Sequence, residues 1–220
     1  MLYQSTRGGS ELLPSMEIIK QGISEDGGLF VPFKIPQLSM GEFRSMVGMD
    51  YHERAIRFLS LFLTDYSEED LTRCVWSAYN IHKFDTPDIA PIIELDDGLV
   101  VLELWHGPTC AFKDMALQLL PYLMVTALRR TGETKDIVIL VATSGDTGKA
   151  ALEGFKDVSG THIVVYYPKE GVSPMQELQM VTQEGHNVYV VAVDGNFDIA
   201  QAGVKAIFVD NQLGHRMEQR

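Results

Sequence analysis

The sequence predicts an α/β protein with a helical N-terminal domain followed by a domain built on a parallel sheet. Two observations predict this class. Amphipathic helical patterns dominate the first ninety residues, whereas short apolar strands alternate with helices in the second half. We therefore expect an N-terminal domain over residues 1–90 and an α/β region over residues 91–220.

The N-terminal part contains two clear helical patterns. Residues 51–64 place apolar side chains on one broad stripe, and a second helix is expected to begin at Ser67. Asp70 stands three residues after Ser67, at the position of a capping-box partner. The inward face of this second helix is predicted to carry four apolar residues, Leu71, Val75, Trp76 and Tyr79.

A β-hairpin and a run of alternating helices and strands follow. Residues 91–104 predict the hairpin, because Asp97 and Gly98 accept the positive φ angles of a tight turn. Helices over 114–130, 148–155, 174–184 and 199–211 then alternate with strands over 136–142, 161–167 and 187–193. This order is typical of a parallel sheet covered on both faces. No strand follows the last helix, so the sheet is expected to be incomplete.

Composition and charge exclude several classes of protein. The 220 residues are 45% hydrophobic and 22% charged, as in ordinary globular chains. The formal net charge of −12 disfavours binding to nucleic acid or to an anionic membrane. The longest apolar stretch, residues 117–128, is too short to span a bilayer, and residues 1–10 lack the apolar core of a signal peptide.

The cysteines and histidines point to neither a disulfide framework nor a metal site. Cys74 and Cys110 are the two cysteines, and they lack the CxxC spacing. Two unpaired thiols fit a reducing compartment, so we expect a cytoplasmic protein. The six histidines are scattered singly, without the spacing of metal ligands, so no metal is predicted.

Lys113 is the first candidate for catalysis. The residues after it are apolar almost all round the expected helix, which predicts that the helix is buried. Both the positive end of the helix dipole and the loss of solvent disfavour a charged amine there, and a neutral amine is a nucleophile. The alternative is that Lys113 extends to solvent and pairs with Asp114. His106 is either a general acid or a loop histidine bonded to backbone.

The second candidate is the turn TSGDTG at residues 143–148. Its N–H groups are expected to point outward between a strand and a helix, ready to bind a carboxylate or a phosphate. The alternative is a tight turn without a ligand. A P-loop would need glycine and a hydroxyl residue where Thr143 and Ala150 stand, and the GxGxxG spacing is also absent, so a nucleotide kinase is disfavoured. The turn at residues 195–198 is interpreted as structural.

Several segments, in this order, resemble threonine synthases, which are pyridoxal 5'-phosphate (PLP) enzymes of the tryptophan-synthase-β superfamily. These segments are YQSTRG at 3–8, DGGLFVP at 26–32, ELWHGPT at 103–109, AFKDMA at 111–116, ATSGDTG at 142–148 and DGNFD at 194–198. The resemblance covers essentially the whole chain. It implies that residues 91–220 are the first part of a fold-type-II PLP-enzyme domain.

The resemblance also implies a lyase reaction and a set of site residues. O-phospho-L-homoserine and water would be converted to L-threonine and phosphate, with PLP as the electron sink. Lys113 would bind the cofactor covalently and shuttle protons, and Phe112 and Asp146 would also contact the cofactor. The substrate would be held by five residues of the turn, Thr143, Ser144, Gly145, Thr147 and Gly148.

Two departures from the family qualify this interpretation. Asp146 stands where relatives often have asparagine near the phenolic oxygen of the cofactor, which implies either a shared proton or a carboxylate turned away. The family's chains are roughly twice as long, and the loop for the PLP phosphate is expected in the remaining part. We therefore expect little or no activity from this chain alone.

Two other functions fit these residues less well. Another PLP-dependent lyase, such as a threonine dehydratase or a cysteine-synthase-like enzyme, is disfavoured by the segments at 26–32 and 144–148. A non-catalytic module of the same fold that binds phosphorylated ligands would have no need for Lys113 at its junction. The sequence leaves the oligomeric state open.

Overall fold

A computed structural model describes residues 1–209, which pack as two compact units. The first unit comprises residues 1–107 and 119–134, and the second comprises 108–118 together with the chain from residue 135 onward. The chain leaves the first unit at Pro108 and returns to it at Leu119. This division by packing differs from the domain boundary expected at residue 90, which stays a prediction about domain organisation.

The secondary structure of the described residues alternates between the two classes along the chain. The helices are α1 (Ser15–Gln21), α2 (Met40–Ser45), α3 (Tyr51–Phe62), α4 (Glu68–Ala78), α5 (Asp114–Leu117), α6 (Leu120–Thr131), α7 (Asp146–Phe155), α8 (Pro174–Val181) and α9 (Phe197–Val209). The strands are β1 (Leu2–Ser5), β2 (Leu13–Pro14), β3 (Phe30–Pro32), β4 (Ile92–Glu94), β5 (Val100–Leu102), β6 (Ile137–Ala142), β7 (Thr161–Pro168) and β8 (Val188–Val193).

A small antiparallel sheet in the first unit was not anticipated from the sequence. Its strand order is β2-β1-β3. The Asp26 carboxylate links the turn before β3 to the end of β1, because it accepts hydrogen bonds from the Ser5 hydroxyl at 2.6 Å and from the Gly9 and Gly28 N–H groups at 2.9 and 2.8 Å. These bonds, that of Ser5 foremost, lower the pKa of Asp26 to about 2. The Asp26 carboxylate thus ties the segment at 26–32 to the segment at 3–8.

The two predicted helices of the first unit are confirmed as α3 and α4. Asp50 caps α3 through the Glu53 N–H, and Ser67 caps α4 through the Asp70 N–H at 3.1 Å. A side-chain cap satisfies an N–H group that the helix itself leaves without an acceptor. The local sequence signals therefore place both starts correctly.

The predicted inward face of α4 is correct at three positions and wrong at the fourth. Leu71, Val75 and Tyr79 are buried, whereas Trp76 is 53% exposed. The indole ring of Trp76 lies flat on the imidazole of His52, with 3.9 Å between ring centroids. This contact on the surface side of α4 covers one ring face and leaves the other accessible.

The helix predicted over residues 114–130 is wrong as one continuous element. It divides into α5 and α6, and Pro121 stands in the first turn of α6. Proline has no N–H with which to continue the ladder of i→i−4 bonds from the preceding turn. The break coincides with the passage of the chain from the second unit back to the first.

A buried carboxylate joins α4 to α6 within the first unit. Asp70 is 1% exposed and accepts from Arg129 at 3.0 Å, from Arg130 at 2.7 Å and from Arg73. Burial by itself raises the pKa of Asp70. The hydrogen bonds from Arg130 and Ser67 and the charges of Arg130 and Arg73 outweigh burial and hold that pKa at about 2, below the ordinary 3.8.

Replacing this carboxylate should destabilise the first unit in a pH-dependent way. We expect Asp70→Asn to lower the free energy of unfolding at pH 7 by about 2 kcal/mol, less than for a fully buried pair because the arginines are about half exposed. Since the folded pKa is depressed, the stabilisation is present above the unfolded pKa and is lost as pH falls toward 2. Urea unfolding at pH 7, 4 and 3 measures this difference.

Glu69→Gln is the matched control for this prediction, because its carboxylate lies on the same helix but is exposed. We expect a change of about 0.5 kcal/mol or less. A loss for Asp70→Asn that equals that of the control, or that stays constant down to pH 3, would contradict the role given to Asp70.

The predicted hairpin is confirmed in the first unit as β4 and β5. The strands pair antiparallel, with Ile92 opposite Leu102 and Ile93 opposite Val101. The turn between them has positive φ angles of 59° at Asp97 and 79° at Gly98, as the Asp-Gly sequence predicts.

The second unit contains the predicted parallel sheet. Its strand order is β6-β7-β8, with Ile139 opposite Ile163 and Val165 opposite Val190. Helices α7 and α9 pack on β7, where Ile163 and Val165 are fully buried. Residue 211, the predicted end of the last helix, and the final residues on which the incomplete sheet was inferred lie outside the described residues.

The helices of residues 1–209 are all too short or too polar to cross a lipid bilayer. The thiols of Cys74 and Cys110 are unpaired, the first buried and the second exposed.

Candidate active site

A buried carboxylate shapes the turn that leads to Lys113. Asp114, the first residue of α5, is fully buried, and its two oxygens accept from the Thr109 N–H and the Thr109 hydroxyl, both at 2.8 Å. Between them Cys110 has a positive φ of 58°. Burial raises the pKa of Asp114 even though the bonds from Thr109 oppose this shift. The Thr109–Asp114 bonds close residues 109–114 into one compact turn.

Lys113 lies at the N-cap of α5 and is half-buried. Its Nζ lies 4.5 Å from the centroid of the Phe112 ring, which is 62% exposed. The predicted burial of the helix is met only in part, because Leu119 is buried whereas Ala116 on α5 is exposed. The alternative pairing with Asp114 is not seen either, since that carboxylate is bonded to Thr109. The half-buried Lys113 side chain therefore places its amine beside an aromatic ring.

Helix α5 packs closely on α7 within the second unit. A Cβ added at Gly154 of α7 would lie 2.1 Å from the carbonyl oxygen of Leu117 at the end of α5. At the other end of α5, Asp114 lies within electrostatic reach of Lys149 and Glu153 on α7. Helix α5, which begins directly after Lys113, is thus held against α7, whose first three residues belong to the TSGDTG turn.

Thr143 organises the TSGDTG turn from inside. Its side chain is buried, and its hydroxyl accepts from the Gly145 N–H at 3.0 Å and the Gly148 N–H at 2.8 Å and donates to the Gly145 carbonyl at 3.1 Å. The Thr143 N–H extends the parallel ladder by donating to the Tyr166 carbonyl at 3.0 Å. One hydroxyl therefore joins the end of β6 to the first turn of α7.

This arrangement differs at Gly145 and Gly148 from the expectation that the N–H groups of the turn point outward. The N–H groups of Gly145 and Gly148 are used by Thr143, so they are satisfied within the turn. Ser144 and Asp146 are exposed, and Thr147 is half-buried. Of the residues predicted to bind substrate, Thr143, Gly145 and Gly148 are buried, whereas Ser144 is exposed and Thr147 is half-buried.

Gln176 is a residue of this site that the sequence reasoning missed. Its Nε2 donates to the Asp146 Oδ1 at 2.8 Å, so the first turn of α8 holds the first residue of α7. Gly145 has a φ of 144°, which favours glycine, and a Cβ there would lie 2.3 Å from the Gln176 side chain. The capping box of Ser173 and Gln176 predicts the start of α8 but not this contact.

Removing the Thr143 hydroxyl should destabilise the turn strongly. We expect Thr143→Val to lower the free energy of unfolding by about 2 kcal/mol, because the buried Gly145 N–H loses its acceptor and the Gly148 N–H keeps only the Gly145 carbonyl. Thr143→Ser keeps the hydroxyl and should lose about 1 kcal/mol. Urea unfolding of both variants measures the difference. Equal losses would mean that the hydroxyl does not organise the turn.

The ring of His106 belongs to the first unit and is bonded to side chains there rather than to backbone. Its Nδ1 lies 2.5 Å from Asp85 Oδ1, and its Nε2 lies 2.7 Å from Glu103 Oε2. The hydrogen bonds to Glu103 and then to Asp85 raise the pKa of His106. The ring thus lies between two carboxylates and links Asp85 to Glu103, and the general-acid role stays a prediction.

The turn at residues 195–198, interpreted as structural, borders a cavity in the second unit. The cavity has a volume of about 320 Å³ and is lined by Lys169, Glu170, Asp194 and Gly195. Lys169 follows β7 and Asp194 follows β8, so the cavity lies at the carboxyl ends of two parallel strands. Within residues 1–209, no three His, Cys, Asp or Glu side chains are placed to hold a metal ion.

This chain is similar to known proteins in sequence and in structure. Residues 2–79 match the family described as "Threonine synthase N terminus". The threonine synthase of Pseudomonas aeruginosa is 41% identical over 211 residues, which are 96% of this chain and 44% of that protein. The threonine synthase of Schizosaccharomyces pombe is 39% identical over 222 residues, covering 97% of this chain and 43% of that protein. The chain spans less than half the length of these relatives.

A solved structure, PLP-bound threonine synthase from Brucella melitensis, matches with a TM-score of 0.86 and 38% identity. The match covers 96% of this chain and 45% of that one. The fold described above is therefore the fold of the corresponding part of that protein.

Proposed function

Because this chain is a relative of threonine synthases and matches their N-terminal part, we propose that it carries the lysine-bearing part of a threonine synthase active site. The reaction is the conversion of O-phospho-L-homoserine and water to L-threonine and phosphate, catalysed by a PLP-dependent lyase. The observation that carries the proposal is a half-buried lysine on the turn that the Thr109–Asp114 bonds close. This turn lies in the same unit as the TSGDTG turn at the end of the parallel strand β6.

The residues present fit PLP by their chemistry. The Lys113 amine stands beside the Phe112 ring, which is 62% exposed and offers an apolar surface to a planar pyridine. Lys113 and Phe112 would hold the cofactor, together with Asp146. When bound, PLP supplies the electron sink that lets the substrate lose phosphate at Cγ and gain hydroxyl at Cβ.

The chain's own residues would supply binding and proton transfer. Lys113 Nζ would accept a proton from the substrate and return it, since an amine freed from covalent attachment is a base. The hydroxyls of Ser144 and Thr147 would donate to the substrate carboxylate. Thr143, Gly145 and Gly148 would support them by keeping the turn in one conformation.

Gln176 would hold the Asp146 carboxylate in place. The amide Nε2 of Gln176 donates to Asp146 Oδ1, which ties that oxygen to the first turn of α8. Of the two arrangements expected for this residue, we therefore propose the one in which the carboxylate is turned toward α8. A structure with PLP bound tests this by the distance from Asp146 to the phenolic oxygen.

We further propose a cytoplasmic protein with a small-molecule substrate and no nucleic-acid or membrane partner. Support comes from the two free thiols and from the net charge of −12.

A chimera tests the reaction directly. The matching 211-residue part of the P. aeruginosa threonine synthase is replaced by this chain, and release of inorganic phosphate from O-phospho-L-homoserine is measured together with threonine formation. We expect turnover by the chimera and little or none by the chain alone. A folded chimera that binds PLP but releases no phosphate would overturn the proposed function. Equal turnover by the chain alone would overturn its expected inactivity.

A further inference from the structure

The hairpin of β4 and β5 exposes apolar side chains on both faces. Every residue from Ile92 to Val100 is exposed, and Ile92 is 66% accessible. The exposed large hydrophobic residues of the hairpin and the segment after it are Ile92, Ile93, Leu95, Leu99, Val100, Leu102 and Trp105. An antiparallel hairpin in a globular domain usually packs at least one face on a core. Two strands alone are also marginal in water.

The register divides these side chains between the two faces. Ile92 stands opposite Leu102 on one face, and Ile93 stands opposite Val101 on the other. Among the described residues, β4 and β5 form a sheet of two strands, so each has an edge without a neighbouring strand. Apolar faces together with free strand edges are typical of a surface that another polypeptide covers.

The charge at the tip of the hairpin argues against a second copy of this chain as the occupant. Glu94, Asp96 and Asp97 are exposed there, and each copy carries a formal net charge of −12. Two such tips brought together would repel each other. The favoured occupant has apolar side chains and a basic rim.

The comparisons identify one polypeptide as a candidate occupant. The P. aeruginosa and B. melitensis proteins contain the fold of this chain within 44% and 45% of their lengths, so more than half of each lies beyond the match. We propose that the hairpin Ile92–Leu102 is a docking surface for a polypeptide equivalent to that remaining part of threonine synthases, packed on its apolar faces. This proposal rests on the match to the relatives and not on the reaction.

Co-expression tests the proposal without cofactor or substrate. The full chain, carrying a purification tag, is produced with the segment of the P. aeruginosa protein that lies beyond the match. Light scattering after size-exclusion chromatography gives the stoichiometry. We expect a one-to-one complex in which the amides of residues 92–102 exchange with solvent more slowly than in the chain alone.

Exposed hydrophobic residues elsewhere in the first unit offer matched variants. The double variant Ile92→Ser with Val100→Ser should weaken the complex at least about tenfold. Val47→Ser with Ile81→Ser, at positions 82% and 75% exposed, should leave it unchanged. Thermal unfolding of the chain alone should be similar for both, since none of the four side chains is buried.

Three results would overturn the docking surface. These are the absence of a complex with the unmodified chain, equal weakening by both double variants, and a dimer of the chain alone that the hairpin variant dissociates. The last result would assign the surface to a second copy. A complex that forms through the hairpin but releases no phosphate from O-phospho-L-homoserine would still support the docking surface. It would count only against the proposed reaction.

Discussion

Lys113→Ala is expected to abolish the specific covalent fixation of PLP by this chain. After incubation with PLP and reduction with borohydride, the pyridoxyl group should be found on Lys113 in the unmodified chain. The variant should retain about one tenth or less of the fixed group, because a primary amine is needed to bind the cofactor's carbonyl carbon. Peptide mapping by mass spectrometry measures the site and the amount.

Two variants control for nonspecific labelling. Lys169→Ala removes an exposed lysine of the same unit and should leave the label on Lys113. Lys113→Arg keeps the positive charge but lacks a reactive amine, so it should behave like Lys113→Ala. Labelling spread evenly over the lysines in all four proteins would contradict the assignment of Lys113.

Gly154→Ala is expected to cause a large loss of stability in the second unit. The new Cβ would lie 2.1 Å from the Leu117 carbonyl oxygen and 2.9 Å from its carbon, and both atoms are backbone. Helices α5 and α7 would have to separate, at a loss of about 3 kcal/mol or more in the free energy of unfolding. Because α5 begins directly after Lys113, the fixation of PLP should fall as well.

Gly203→Ala in α9 is the matched control. A Cβ at Gly203 has no atom within 4 Å, so alanine should stabilise the helix by about 0.5–1 kcal/mol. Urea unfolding of both variants gives the comparison. If the two substitutions change stability equally, the close approach of α5 and α7 at Gly154 is not real.

Local signals were enough to predict much of the fold. The starts of α3 and α4, the turn of the hairpin and the alternation of β6, β7 and β8 with helices were all predicted from neighbouring residues. The sheet of β1, β2 and β3 was missed, since strands of two to four residues are too short to show a two-residue period. The prediction of one continuous helix over 114–130 was wrong. The apolar periodicity continues through Pro121, but periodicity does not reflect the backbone N–H that proline lacks.

The residues proposed to carry the chemistry were predicted from the sequence, whereas some of the contacts that hold them were not. Lys113 and the TSGDTG turn were identified from residue type and from position at the ends of strands and helices. Their assignment to cofactor and substrate binding stays a prediction. Gln176 was missed, because its bond to Asp146 joins residues thirty positions apart.

The sequence by itself determined the fold class, the starts of most elements, the family likeness and the candidate lysine. These depend on hydrogen bonds and side-chain spacing within about one or two turns of chain. Only the tertiary structure decided that Asp114 bonds to Thr109 rather than Lys113 and that Thr143 bonds the Gly145 and Gly148 N–H groups. It alone revealed the uncovered hairpin. The reason is that the burial of a side chain, and the choice of acceptor for each N–H or hydroxyl donor, depend on all the groups that the fold brings near it. Residue type and spacing along the chain do not specify those neighbours.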